Sequence, residues 1–109
     1  IHLADGGDVT ILATGHLVWE AIQAARELEA RGVGADVLDI ATIKPLDAEA
    51  VLSSVRKTRR VVVAEEHLIA GGLGEVIAGL LATTCPTPMR FVAVDDKFGQ
   101  SVEAALSLQ

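Results

Sequence analysis

Four short aliphatic runs, separated by stretches of helical periodicity, decide what this chain can fold into. They are Val9 to Ala13, Ala35 to Ile40, Val61 to Ala64 and Phe91 to Val94. Their apolar residues come in succession rather than in strict alternation, the pattern of strands covered on both faces. Strands separated by helices run parallel, and right-handed crossovers then set helices on both sides of the sheet. The spacing predicts an α/β domain with a mostly parallel sheet and no complete active site of its own.

Between the first two runs, Leu17, Val18, Ala21, Ile22, Ala25 and Leu28 recur at helical spacing. Glu20, Gln23, Arg26, Glu27 and Arg31 are their polar partners, with Glu27 and Arg31 one turn apart, and Gly32 stands where a helix stops. Trp19 falls off the stripe, so it covers an edge or meets a partner surface. Ile1 to Leu3 reads as a short extended start and Asp5-Gly6-Gly7-Asp8 as a turn. After Pro45, Asp47 is placed as an N-cap, with Leu46 and Val51 as a hydrophobic staple, for a helix running to about Thr58. Gly71-Gly72-Leu73-Gly74 opens a third helix with the stripe Leu73, Val76, Ile77, Leu80 and Leu81. Pro86 and Pro88 bracket a loop, and Ser101 is placed to cap a tail helix with Val102, Ala105 and Leu106 inward.

The 109 residues make one domain, 1–109, able to bury a core without staples. The aromatics are only Trp19, Phe91 and Phe98, so the core is aliphatic. A net charge of −6 argues against a nucleic-acid partner. The basic run Arg56, Lys57, Arg59 and Arg60 closes a helix, where cations complement the dipole. Cys85 stands alone, which excludes a disulfide framework and a thiolate metal site and points to a reducing, cytoplasmic compartment. The most apolar stretch, Leu68 to Cys85, holds Glu75 and four glycines and is too short and broken to span a membrane. With Ile1 at its start and no signal peptide, the chain reads as a piece of something longer or a processed form.

Two strand ends carry the polar residues of interest. Thr14, Gly15 and His16 follow the first run, and Glu65, Glu66 and His67 follow the third, at the edge where open α/β sheets bind ligands. Neighbouring strands would bring them into one crevice, joined by Gly71, Gly72 and Gly74. That crevice is either an acid–base or weak metal site or a hydrogen-bonded interface cluster, and the residues leave both open. The glycine loop does not match G-x-G-x-x-G, nor does a Gly-Lys-Ser/Thr follow. It is either close packing at a helix start or a cradle for a small anion. No nucleophile elbow is present; Ser53, Ser54, Ser101 and Ser107 fall on or beside helices. Asp95-Asp96 is either a start toward a hard-metal site or, the commoner case for two acids after a strand, a solvated pair or loop cap. No catalytic, cofactor-binding or metal-ligating residue is assigned.

Four segments in order resemble the C-terminal domain of transketolase-like enzymes over about residues 1–101. Ala41-Thr42-Ile43-Lys44-Pro45-Leu46-Asp47 is similar to that family's TIKPLD segment, and Ala64-Glu65-Glu66-His67 with Gly71-Gly72-Leu73-Gly74 to its EEH…GGLG segment. Val94-Asp95-Asp96-Lys97-Phe98-Gly99-Gln100-Ser101 resembles its D.FG.SG segment, and Ala13-Thr14-Gly15-His16 its ATG turn. Val102 departs from the Gly the family often carries there. The Glu-Glu-His form looks most like bacterial and archaeal transketolases, including those split into two subunits.

The resemblance implies a three-layer α/β/α fold with a five-stranded mixed sheet in order 1-3-2-4-5. Four strands would be parallel and the N-terminal edge strand antiparallel. It implies that thiamine diphosphate and a divalent metal, Mg or Ca, bind the N-terminal and middle domains or subunit, and that this chain holds neither. The complete enzyme would move a two-carbon ketol unit between sugar phosphates as a homodimer, with this domain supporting the assembly. Two rivals stand beside it. One is the related domain of a 2-oxoacid dehydrogenase β subunit or of deoxyxylulose-phosphate synthase, acting as an interaction module. The other is a regulatory module that binds a small anion near Gly72 and His67.

Overall fold

The computed structural model describes residues 2–13, 17–40, 48–65 and 73–93. Its elements run β1 (His2–Ala4), β2 (Val9–Ala13), α1 (Val18–Ala30), β3 (Ala35–Asp39), α2 (Ala48–Thr58), β4 (Val61–Glu65), α3 (Leu73–Thr84) and β5 (Met89–Ala93). The architecture is the α/β arrangement with a parallel sheet that the alternating pattern implies. The sheet order is β1-β3-β2-β4-β5. β3, β2, β4 and β5 pair in parallel, and β1 lies antiparallel along β3 at one edge.

All five residues of β2 are buried, because strands flank it on both edges and helices cover both faces. Val9, Ile11 and Ala13 join Val37, Val62 and Ala64 under α1, packed on Leu17, Ala21, Ala24, Ala25 and Leu28. Leu12, Leu38, Val61 and Val63 point the other way, onto Val51, Leu52 and Val55 of α2 and Ile77 and Leu81 of α3. Each fully buried Val, Leu or Ile contributes about 1.5–3 kcal/mol over exposure. The small Ala21, Ala24 and Ala25 let α1 lie close on the sheet.

α1 ends as Gly32 suggests. Gly32 takes φ +83°, its N–H donates to the Glu29 carbonyl at 3.0 Å, and the Val33 N–H donates to the Leu28 carbonyl at 2.9 Å. These are the two hydrogen bonds of a Schellman cap, and Val33 packs back on the cluster that holds Leu28.

Strand limits shift where backbone pairing and hydropathy disagree. Ile40 lies beyond β3, although its N–H still bonds the Ala13 carbonyl at 2.8 Å. β4 takes in Glu65. β5 starts at Met89, two residues ahead of the aliphatic run, because Met89 pairs with Val61 whose N–H reaches the Pro88 carbonyl at 3.1 Å. β1 is His2–Ala4 rather than Ile1 to Leu3. The Asp47 cap, the Leu46 half of its staple, Val94 and the tail helix at Ser101, Val102, Ala105 and Leu106 lie outside the described residues.

The β1–β2 turn sits against the loop that leads into β3. Asp8 Oδ2 accepts from the Gly34 N–H at 2.7 Å, and the Asp8 and Val9 N–H groups both reach the Gly34 carbonyl. A Cβ on Gly6 would overlap the backbone of Gly34 and Ala35, and no flexible side chain stands there to yield. Gly6→Ala is expected to destabilise the protein by about 3 kcal/mol. Gly7→Ala, with open space at its Cβ, is expected to change stability by under about 1 kcal/mol. Urea denaturation of the two variants checks the contrast.

Candidate functional site

The crevice expected at the C-terminal edge begins at two neighbouring strand ends. Ala13, the last residue of β2, pairs with Ala64 of β4, and Glu65 closes β4 against Ala93. The segments 14–16 and 66–67 therefore leave from adjacent strands. Thr14, Gly15, His16, Glu66, His67, Gly71 and Gly72 lie outside the described residues, as does the contact of His16 with His67. Gly74 is the second residue of α3. Among the described residues, no group of three or more His, Cys, Asp or Glu converges as a metal site.

The polar chemistry that the structure does resolve lies at the opposite edge of the sheet. Thr10 and Asp36 pair across β2 and β3 and face α2. Their side chains meet Ser54 and Thr58, one helical turn apart; all four residues are at most 6% exposed. Thr10 Oγ1 lies 2.7 Å from Ser54 Oγ and 2.6 Å from Thr58 Oγ1. Ser54 donates to Asp36 Oδ2, and Thr58 donates to the Arg60 carbonyl at 3.1 Å. In each of the two Thr10 contacts either hydroxyl can be the donor, since each carries one proton and two lone pairs.

Lys57 closes this network from the surface. Its Nζ lies 3.2 Å from Asp36 Oδ1 and 3.0 Å from Asp5 Oδ1. The Gly6 N–H adds a longer contact of 3.4 Å to Asp36 Oδ1. A carboxylate 3% exposed in its side chain is stable only when its charge is met in this way. The hydrogen bond to Asp5 raises the Lys57 pKa above its ordinary 10.5; Asp36 adds to this and burial opposes it. The arrangement ties the β1–β2 turn, β2, β3 and the end of α2 together.

Sequence reasoning missed this cluster. It placed Ser54 on or beside a helix without a partner and took Lys57 only as a cation at a helix end. The available signal was a polar residue second in each of two buried strands, Thr10 and Asp36, facing a Ser and Thr spaced four apart.

The model of the transketolase C-terminal domain matches residues 1–108. The chain belongs to that family. It is 54% identical over 98 residues, 90% of the chain, to a 6-deoxy-6-sulfo-D-fructose transketolase subunit from Clostridium sp. (strain MSTE9). It is 40% identical over 95 residues, 87% of the chain, to an apulose-4-phosphate transketolase subunit from Phocaeicola vulgatus. In each case it spans only 30% of the relative. A solved split gene transketolase, described as an inactive beta4 tetramer, superposes with a TM-score of 0.82 at 45% identity. That match covers 97% of this chain and 35% of the other.

For this transketolase C-terminal domain, the inner network predicts two outcomes. Asp36→Ala is expected to lower stability by about 3 kcal/mol, read as a shift of the urea midpoint. Lys57→Met should be less stable than the parent at neutral pH. Because the folded pKa of Lys57 is raised, its contribution is present below 10.5 and is lost as pH rises through the folded value. The gap between parent and variant should therefore close on the alkaline side, and a gap independent of pH there would exclude the ion pair as its source.

Proposed function

We propose that this chain is the C-terminal domain of a longer transketolase-type enzyme, which transfers a two-carbon ketol unit between sugar phosphates. In this reading residues 1–109 form a single domain on the five-stranded order β1-β3-β2-β4-β5. The domain supports a homodimeric, cytoplasmic assembly and is not catalytic alone. The N-terminal and middle domains, or a separate subunit carrying them, hold thiamine diphosphate and its divalent metal. The segments at Thr14–His16 and Glu65–His67 serve contact with those domains, with Gly71, Gly72 and Gly74 shaping the backbone beside them.

The observation that carries the reading is the 54% identity, over nine-tenths of the chain, to a protein named as a transketolase subunit.

The full-length protein, with any companion subunit, thiamine diphosphate and Mg, should transfer a two-carbon unit from a ketose phosphate to an aldose phosphate. Condensation of pyruvate with an aldose phosphate instead would assign it to the deoxyxylulose-phosphate synthase branch. Calorimetric titration of residues 1–109 with thiamine diphosphate is expected to give no binding heat; stoichiometric micromolar binding would overturn the non-catalytic role.

A further inference from the structure

The first turn of α1 carries Trp19, which is 60% exposed and is the one large apolar side chain left open to solvent among the described residues. On the same stripe Ile22 and Gln23 are half-buried and Arg26 is exposed. An apolar centre thus grades into a polar rim, the layout of a docking patch, and Trp is among the side chains enriched as its anchors.

The topology says what arrives there. α1 follows β2, so its first turn lies at the C-terminal edge of the parallel sheet. β1 runs the other way, with His2 opposite Leu38 near the end of β3, so the chain comes into the domain at that same edge. α1 packs across β1 as well as β3. The matched segment is 30% of its relatives' length and is their C-terminal domain, so roughly two-thirds of such a protein precedes it. β1 delivers that part to the edge on which Trp19 stands.

We infer that Trp19 anchors this domain in an apolar pocket of the catalytic portion that precedes residue 1 in the same polypeptide. The inference rests on the reading of the chain as the C-terminal domain of a longer enzyme. It goes beyond that reading in naming the surface, the residue and the occupant.

Hydroxyl-radical footprinting of the full-length protein reads Trp19 directly. Its oxidation is expected to be slowed at least about fivefold relative to Trp in an unstructured peptide, as burial at an interface centre requires. The protection should persist when the protein is diluted to monomers. In the full-length protein, Trp19→Asp should expose the junction ahead of residue 1 to limited proteolysis, while Trp19→Phe should keep it closed. Oxidation of Trp19 at the peptide rate would overturn the proposal. Protection that vanishes on dilution would overturn it too, since the occupant would then be a second copy. Neither readout depends on ketol transfer, so an inactive enzyme with Trp19 protected would cost only the functional reading.

Discussion

β2 is the constraint on which the rest depends. Its backbone N–H and C=O groups are out of water on every side, so each must find a partner in β3, in β4 or in the residues that flank them. Its side chains alternate between two cores, with Ile11 toward α1 and Leu12 toward α2 and α3. A one-residue slip would exchange the two sets and drive Thr10 into the aliphatic face. The Thr10 hydroxyl, held between Ser54 and Thr58, is a polar pin that resists that slip.

The two ends of the sheet have separate tasks. At the N-terminal ends of the parallel strands, Asp36, Ser54, Thr58, Thr10 and Lys57 form a closed network, and Gly6 packs against Gly34. These features use their polar atoms on one another. The C-terminal ends of β2 and β4 lie side by side, and the helical turn that follows β2 in the chain exposes Trp19.

Most of the architecture was legible because it is written in local patterns. Val61-Val62-Val63-Ala64 reads as a doubly covered strand wherever it stands, and Gly32 reads as a helix end because few other residues tolerate its φ. The start of β5 was not legible, since Met89 and Arg90 join the strand through backbone bonds to β4. The paired strand ends of the candidate crevice were anticipated from the family's strand order, whereas local periodicity carries no information about which strands are neighbours. The buried network was missed because Thr10 and Asp36 are 26 residues apart and each looks like a minor interruption of an aliphatic run.

The sequence by itself determined the class of fold, the succession of strands and helices and the family, because hydrophobic period, turn residues and ordered motifs are properties of the chain. Only the tertiary structure decided that Asp36 is a buried carboxylate clasped by Lys57, that Gly6 stands where no Cβ fits, and that Trp19 shares an edge with the start of β1. Those facts depend on residues distant in sequence being brought together, and that distance is set by sheet pairing and crossover packing rather than by any local pattern.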